Sequence, residues 1–366
     1  VLLGIILASI LLYQEQSRTD QQREIAERRY DEIVSLSDVR LVQQLERERD
    51  ELWPLRAERV PALESCLRRA QRLALRLPEH RITLQQSTSA QGYTRTEWEL
   101  ETLGSLIESI DVLQRQWIPE VQDRLSFANT VEAKSILSQQ ELWQSAQTAI
   151  QTNPKYNGLV LQPQLGLLPL RADPTSGLWE FLHIQSGAAP QIADNGEYRL
   201  SDESGIILVL IPGGQFWMGA EPRPDPARPK INVDPRARKI EAPSHLISLA
   251  PFFLSKYELT QGQWSRIFSP NNSAYPAGLE FGSRVINSLH PVEQVQWHES
   301  VAAMQRYDLT LPTEAQWEYA ARSGSSSIYW TGDSTASLQG ALNISDAEGR
   351  ELGSPESWGM EKILRD

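Results

Sequence analysis

Cysteine is almost absent from this sequence, which has a single thiol, Cys66, among 366 residues. One cysteine excludes an intrachain disulfide and a zinc cluster built on several thiolates. Chemistry that needs two thiols is therefore not available within these residues. Since the stretch around Cys66 has helical apolar spacing, we expect Cys66 to be a small apolar residue on a helix.

Basic residues are also in deficit. Lys and Arg number 35 against 47 Asp and Glu, which gives a formal net charge of -12 at pH 7. Binding to nucleic acid rests on a basic surface that neutralises phosphates, so this balance argues against a general nucleic-acid-binding protein. It permits a solvated surface and cation binding.

Long apolar runs are lacking except at 1–13, VLLGIILASILLY. A spanning helix needs about 20 apolar residues, so we expect this run to be the second half of a truncated transmembrane helix in a single-pass membrane protein. A trimmed signal peptide and a core helix remain alternatives. The flank QEQSRTDQQRE is not strongly basic, which favours an extracytoplasmic side for the segments that follow.

Residues 14–152 have the pattern of charged helices. Pro54, Pro61 and Pro78 exclude one unbroken rod, and Pro119 predicts a later interruption. The segment is interpreted either as a coiled-coil stalk that joins two copies into a homodimer or as a solvated helical spacer. The apolar residues at helical spacing are Ile33, Leu36, Leu41, Leu45, Leu63, Leu67 and Ala70, followed by the stripe Trp98, Leu103, Leu106, Ile107, Ile110, Leu113 and Trp117.

At 153–205 short apolar runs and turn residues replace the helical period. Leu159–Leu161 and Trp179–Leu182 are predicted strands, and Asp173–Gly177 and Asp194–Gly196 have turn chemistry. We interpret this stretch as a small β-rich lead-in to a C-terminal domain at 206–366, which opens with a further predicted strand at 206–211.

Four motifs follow in order in that C-terminal part: IPGGQFWMG, FFLSKYELTQGQW, HPVEQVQWHESVAAM and LPTEAQWEYAARSG. The first predicts a hairpin with a tight turn at Gly213–Gly214, and the second predicts a strand followed by a helix. Thr260 with Gln263, and Thr313 with Gln316, have the spacing of capping boxes. The remaining predictions are a helix over 298–307, a strand over 309–311 and a last helix that ends before Gly324.

This ordered set resembles the formylglycine-generating enzyme, or sulfatase-modifying factor, family over about 206–346. The resemblance implies an elaborated C-type-lectin-like fold. The whole chain is therefore predicted to be α+β, with a helical or coiled-coil stalk followed by an incomplete lectin-like domain, because the family's closing Gly-Asn-x-Trp-Glu-Trp stretch does not occur before Asp366. Such scaffold motifs do not by themselves fix a function.

The resemblance implies an oxidase that converts a sulfatase cysteine to formylglycine with two cysteines and a copper ion. Thiolates are the soft ligands that hold Cu(I) and are the redox partners. In family members these cysteines lie beyond the point that corresponds to Asp366. Copper is therefore expected only with cysteines outside this sequence, and no catalytic or cofactor-binding residue is assigned within it.

Relatives in this family also bind calcium near an Ala-Asn-x segment, which corresponds here to 341–346. Asn343 offers a side-chain oxygen and Ile344 a backbone carbonyl, as part of a site that needs six to eight oxygens. An Asn/Asp turn without metal is the alternative.

The histidines His245, His290 and His298 form no H-x-x-H pair and are interpreted as structural. Iron-dependent sulfoxide synthases share this fold but take their iron histidines from a separate helical domain. The predicted helices at 95–151 contain no histidine, which argues against that activity.

Two functions remain open. In the first, the lectin-like domain is an extracytoplasmic binding or sensor module for a protein or a glycan, in the arrangement of bacterial membrane Ser/Thr kinases that carry such a domain. In the second, the protein is a formylglycine-generating oxidase. We favour the binding module because a membrane segment, a charged helical region and a β-rich lead-in are unusual for a stand-alone secreted oxidase.

The candidate binding site is a cleft bordered by Trp217, Trp297, Trp317 and Trp330, because exposed aromatic rings favour recognition of protein chains or sugars. Trp297 and Trp317 each lie beside a predicted helix start, and for these two we expect a place in the core.

Overall fold

The computed structural model describes residues 2–89, 96–268, 270–281 and 284–341. The chain divides into two compact units, residues 1–129 and 130–366. The first unit is helical and the second contains antiparallel sheets. The protein is therefore α+β, as the sequence predicts.

The first unit is built from long helices whose limits follow the prolines. Pro54 lies just beyond the end of the first helix, whereas Pro61 and Pro78 lie in the first turns of the next two, where a missing N–H is tolerated. The prediction that prolines divide this region is confirmed. The helices are α1 (Leu2–Glu51), α2 (Val60–Ala74), α3 (Leu77–Ser89), α4 (Glu97–Val112) and α5 (Ile118–Ser135), which continues into the second unit.

Pro119 does not interrupt the helical backbone, contrary to the prediction. Leu113–Trp117 form a π-helical turn that links α4 directly to α5. Pro119 is thus the second residue after this π-helical turn. The wider turn before it accommodates the proline within a continuous helical path.

The core of the first unit collects the apolar stripes of α1, α2 and α4. Leu45, Leu63, Leu106 and Ile110 are at most 2% exposed. Cys66 on α2 is buried among them, as expected of a small apolar residue, and this burial raises the pKa of its thiol. The predicted stripe is not buried throughout, however, since Ile33 and Leu36 on α1 and Trp98 on α4 are exposed.

Residues 2–13 of the apolar run lie in the first turns of α1. The last four of these residues, Ile10 to Tyr13, are 51–76% exposed. Among the residues described, no helix combines the length and the apolar character needed to cross a membrane.

The second unit contains a four-stranded antiparallel sheet whose strands, in order across the sheet, are Leu167–Ala172, Trp179–His183, Ile207–Ile211 and Phe252–Ser255. Two of its strands come from the predicted lead-in and two from the predicted C-terminal domain, and the division between those segments stays a prediction. The strands are β1 (Leu167–Ala172), β2 (Trp179–His183), β3 (Gln191–Ile192), β4 (Tyr198–Arg199), β5 (Ile207–Ile211), β6 (Gly214–Met218), β7 (His245–Leu249), β8 (Phe252–Ser255), β9 (Glu280–Phe281) and β10 (Arg284–Val285).

Short helices accompany these strands. Trp143 on the first of these helices, Gln140–Thr152, is 2% exposed, and its ring centroid lies 5.7 Å from that of Phe181 on β2. This helix therefore covers the four-stranded sheet. The helices of the second unit are α6 (Gln140–Thr152), α7 (Gln261–Ser265), α8 (Trp297–Arg306) and α9 (Glu314–Arg322), with 3-10 turns at Leu137–Gln139, Pro154–Tyr156, Lys239–Glu241 and Thr335–Leu338.

Two predicted strands are absent from the described residues. At 159–161 the backbone is irregular, after a turn in which Asn157 has a positive φ of 49°. Residues 309–311 do not form a strand. The amide of Leu309 instead donates to the Met304 carbonyl, and Asp308 before it has a positive φ of 60°. This left-handed residue followed by a 6→1 bond closes α8 in the manner of a Schellman motif.

The hairpin predicted at Gly213–Gly214 is also wrong. β5 pairs with β2 and β8, whereas β6 pairs with β7. A Cβ atom at Gly213 would lie 2.4 Å from the carbonyl oxygen of Leu249. Glycine is needed there because another backbone passes very close, and not because a tight turn demands it.

Candidate functional site

The candidate binding face of the second unit is built on β6 and α9. The capping box predicted for α9 is present, since the Thr313 hydroxyl accepts from the Gln316 amide and the Gln316 side chain accepts from the Thr313 amide. The helix ends at Arg322, and Ser323 caps it in a left-handed conformation, followed by Gly324 as predicted. α9 is thus fixed at both ends by local sequence.

α9 is held on β6 by a ring contact and by a partly buried polar link. The Tyr319 ring meets Phe216 edge-to-face at a centroid distance of 5.2 Å. Glu318 Oε1 accepts from the Gly219 amide at 2.9 Å and from Arg322 Nε at 2.7 Å. Arg322 in turn donates to the Gly219 carbonyl, so both backbone groups at the end of β6 are bound by α9.

The segment between β6 and β7 folds back over Trp217. The Arg228 guanidinium lies 3.9 Å from the centre of the Trp217 ring, within the range of a cation–π interaction, and is also paired with Asp225 at 2.6 Å. Asn232 is 4% exposed and donates to the carbonyls of Trp217 and Gly219. Trp217 is therefore a half-buried residue beneath an arginine.

The other three predicted tryptophans are exposed, so the expectation of a core role for Trp297 and Trp317 is wrong. Trp297 is 75% exposed, Trp317 63% and Trp330 53%. Residues two apart on a helix differ by about 200° in direction. Because Tyr319 packs inward on β6, Trp317 points to solvent.

Trp297 is turned outward for a similar reason. It is the first residue of α8, whose buried side is marked by Ala303 and by Tyr307 just beyond the helix, both 0% exposed. Trp330 lies in a turn closed by mutual backbone hydrogen bonds between Tyr329 and Gly332. Within the described parts of the chain, no ring-to-ring contact joins the four tryptophans, so a single cleft bordered by all of them stays a prediction.

A second polar site lies in the four-stranded sheet, and sequence reasoning missed it. Glu180 on β2 is completely buried. Its carboxylate pairs with the Lys256 ammonium, lies 3.4 Å from Arg171 Nε and accepts from the Tyr198 hydroxyl at 2.8 Å. Lys256 also pairs with Asp173 at 2.9 Å.

The charges of this cluster stabilise one another. Partial burial favours the neutral form of Asp173, but hydrogen bonds from Ser176 and Lys256 outweigh it and hold the pKa of this carboxyl below its usual range. Burial likewise opposes the charge of Lys256, yet Glu180 and Asp173 raise its pKa. Two cations face two carboxylates, so the charges of the cluster are balanced, and the cluster links β1 and β2 to Lys256 just after β8.

His183 at the end of β2 is the second residue that sequence reasoning did not single out. It is 4% exposed, and its ring meets Tyr307 edge-to-face at 5.5 Å. Its Nδ1 atom has no hydrogen-bond partner. Burial lowers the pKa of His183 to about 4, and burial also raises the pKa of Tyr307. His183 is therefore a neutral core residue at physiological pH.

The predicted metal ligands lie elsewhere. Asn343 and Ile344 are outside the described residues, so the calcium site stays a prediction. In the ranges that the structure describes, no group of three His, Cys, Asp or Glu side chains could hold a metal ion. The residues present do not fit a copper site of the kind the resemblance implies, because the sole thiol, Cys66, is buried in the other unit. His245, His290 and His298 are all exposed.

Residues 200–354 match the family model of the sulfatase-modifying factor enzyme 1-like domain. Two bacterial proteins named formylglycine-generating enzyme are similar to this chain. That of Thermomonospora curvata is 28% identical over 158 residues, covering 32% of this chain and 49% of that protein. That of Mycobacterium tuberculosis is 50% identical over 44 residues, covering 12% and 15%. The chain thus carries a formylglycine-generating-enzyme-like domain, as the motifs predict.

A third relative bears no function in its name. The uncharacterized protein YfmG of Bacillus subtilis is 28% identical over 151 residues, covering 37% of this chain and 29% of that protein. The chain spans less than half the length of each of these three relatives. Their similarity therefore concerns the domain, and any activity of a whole protein is a matter of proposal.

Proposed function

We propose that the C-terminal domain is a binding module for an extended protein segment, and that Trp297, Trp317 and Trp330 form part of its binding surface. The observation that carries this proposal is the exposure of three indole rings on ordered helices and turns, between 53% and 75%. Tryptophan is enriched among the residues that dominate binding energy, because a rigid ring buries a large area at low entropic cost.

A protein ligand is favoured over a glycan by the family of the domain. Two relatives are named formylglycine-generating enzyme, and the family resemblance implies that a sulfatase polypeptide is the molecule such a domain receives. Recognition of a protein segment does not need the cysteine pair of the oxidase. The proposal is confined to binding, since the 366 residues contain one thiol.

The test uses the full chain against an immobilised library of extended peptides that includes cysteine-containing sulfatase segments, with a glycan array in parallel. Replacing Trp317 by Ala is expected to weaken peptide binding about tenfold or more, since truncating a dominant interface aromatic costs about 2 kcal/mol. Ile240→Ala is the matched control, because Ile240 is an apolar residue of the same unit that is 80% exposed and lies outside the proposed surface.

Peptide binding that is unaffected by substitution of all three tryptophans would contradict the proposal. Binding to glycans alone would also contradict it and would reassign the same surface to sugars. Conversion of a bound cysteine to formylglycine by this chain would contradict the binding-only function and favour the oxidase.

We also propose that the module is tethered to a membrane, with the C-terminal domain on the extracytoplasmic side, where it acts as a sensor. This proposal is supported by the exposed apolar side chains of Ile10, Leu11 and Leu12 and by the flank that follows them, which has mixed charge and is not strongly basic. Fractionation of cells that express the full chain is the test. Release of all the protein by alkaline carbonate would contradict the tether.

A further inference from the structure

One surface of α1 is largely exposed in the described part of the chain, with only Val39 at its edge packed against the core, and this exposure is not explained by the proposed function. On an α-helix successive residues turn by 100°, so seven residues between positions 29 and 43 lie within about 60° of the direction of Leu36. We call them the α1 face: Arg29, Glu32, Ile33, Leu36, Val39, Arg40 and Gln43. Ile33 is 67% exposed and Leu36 39%, whereas Val42 and Leu45 on the opposite side of the helix are buried in the core.

A groove runs beside the α1 face, between α1 and α4. It has a volume of about 380 Å³, and Val39, Val42 and Leu106 give it an apolar floor. Trp98, which is 58% exposed, and Glu101 line its α4 side. The α1 face and this groove together form a continuous surface that suits the side of another helix.

We propose that the occupant is α1 of a second copy of this chain, packed antiparallel across a two-fold axis at Leu36. A two-fold axis brings residues at equal distances on either side of it together. Leu36 then meets Leu36 of the second copy. Ile33, three residues before the axis, meets Val39 of the second copy, three residues after it, at the edge of the groove.

Charge complementarity supports this alignment. Glu32 and Arg40 lie four residues before and after Leu36, so each Glu32 faces Arg40 of the second copy, and the pair occurs twice. Neither side chain takes part in an ion pair within the part of the chain that the structure describes. A parallel alignment would instead bring Glu32 against Glu32 and Arg40 against Arg40, which is repulsive.

The size of the contact sets the expected strength. The α1 face extends over about 20 Å of helix, and its area falls below the ~1,600 Å² of a standard stable interface. We therefore expect a weak dimer that forms reversibly with concentration. Sedimentation velocity of the full chain across a concentration series measures it directly, and a chain that stays monomeric throughout would overturn the proposal.

Charge exchange tests the alignment. Glu32→Arg is expected to weaken the dimer about tenfold, because it replaces two attractive pairs by two repulsive ones. Adding Arg40→Glu to this variant restores opposite charges and is expected to restore the wild-type association. Asp20→Arg, an exposed charge change on the same helix but outside the α1 face, is the matched control. Failure of the double variant to recover would overturn the antiparallel pairing.

Cysteine cross-linking gives an independent test. Leu36→Cys is expected to form a disulfide-linked dimer on oxidation, since Leu36 lies on the axis. Ile25→Cys is expected to remain unlinked, because the two copies of residue 25 lie about 33 Å apart in an antiparallel pair. The wild-type chain is the blank, since its only cysteine, Cys66, is buried.

The antiparallel pair excludes two α1 helices that stand upright in one membrane, so this dimer is proposed for the chain in solution. Cross-linking of Ile25→Cys would overturn the proposal and indicate the parallel pair that anchoring in one membrane would impose. If neither variant cross-links while the chain dimerises, the interface lies elsewhere and the α1 face has a different occupant. Circular dichroism of each variant confirms that the helices are retained, which is expected because all of these positions are exposed.

Discussion

Replacing Lys256 by Met removes the ammonium group that joins Glu180 to Asp173 in the second unit. Glu180 is completely buried and its side chain cannot turn to water. Removing one partner of a buried ion pair costs about 3–5 kcal/mol, because the remaining charge is left without compensation. Arg171 at 3.4 Å and the Tyr198 hydroxyl at 2.8 Å still contact Glu180, so we expect the lower end of that range, about 3 kcal/mol.

Hydrogen exchange measured by mass spectrometry reports this loss for the second unit alone. Global denaturation would mix the two units, whereas peptides that span β2 and β5 report the opening of the sheet that carries Glu180. A loss of about 3 kcal/mol corresponds to roughly a hundredfold faster exchange of these amides. Arg238→Met is the control, because its pair with Glu241 is exposed and such pairs contribute at most about 1 kcal/mol.

A double substitution decides whether the uncompensated charge is the cause. If it is, Lys256→Met combined with Glu180→Met removes both charges, and the sheet is expected to recover most of the lost protection. A double variant whose loss equals the sum of the two single losses would refute this reasoning. So would a change of less than about 1 kcal/mol in Lys256→Met, since a pair that weak contributes no more than an exposed one.

Three further predictions concern the same unit. Burial lowers the pKa of His183 to about 4 from 6.5, so the unfolded chain binds its proton first and stability falls as pH drops from about 6.5 to about 4; His183→Phe is expected to flatten this dependence, measured as hydrogen exchange of the β2 amides at several pH values after correction for the intrinsic pH dependence of exchange. Thr313→Ala removes the cap of α9 and is expected to cost about 1 kcal/mol, measured as faster exchange of the α9 amides, with Thr313→Ser retaining protection. Gly213→Ala places a Cβ atom 2.4 Å from the Leu249 carbonyl oxygen and is expected to lower the free energy of unfolding by about 2 kcal/mol. An unchanged midpoint of thermal unfolding would contradict the close approach of these two backbone segments.

Local signals in the sequence were sufficient where a residue's role depends on its near neighbours. The capping boxes at Thr260 and Thr313 are formed as predicted, because each needs only residues three positions apart. The predicted strands at 179–182 and 206–211 correspond to β2 and β5. Apolar runs of that length, bounded by turn residues, are favoured as strands when a sheet is available to bury them.

Strand pairing could not be predicted in the same way, because it depends on residues far apart in the chain. Gly213 and Gly214 have the composition of a hairpin turn, yet β6 pairs with β7, about 30 residues later. The apolar residues at 309–311 were expected to form a strand, but the helix before them uses the Leu309 amide to close its end. The sequence pattern does not distinguish these two outcomes.

The candidate site shows the same limit. Trp297 and Trp317 were expected in the core because aromatic residues near helix starts usually pack inward. The sequence also contains the information that opposes this: Tyr319 lies two residues after Trp317, and only one of two residues 200° apart can face β6. Which of them packs inward is decided by Phe216 on β6, a partner about 100 residues away. The buried Glu180 and His183 were missed for the same reason, since no local signal marks their partners.

The outward position of Trp317 is also what makes the binding proposal testable without loss of the fold. α9 is attached to β6 through Tyr319, Glu318 and Arg322, and none of these contacts involves the Trp317 ring. Substitution of Trp317 therefore leaves the attachment intact, and surface substitutions away from structural contacts usually change stability by no more than about 0.5 kcal/mol. A Trp317→Ala variant with wild-type exchange in α9 but weakened peptide binding would separate recognition from folding. Equal loss of both would show that the exposed ring contributes to stability, and the binding surface would then have to be sought elsewhere on the domain.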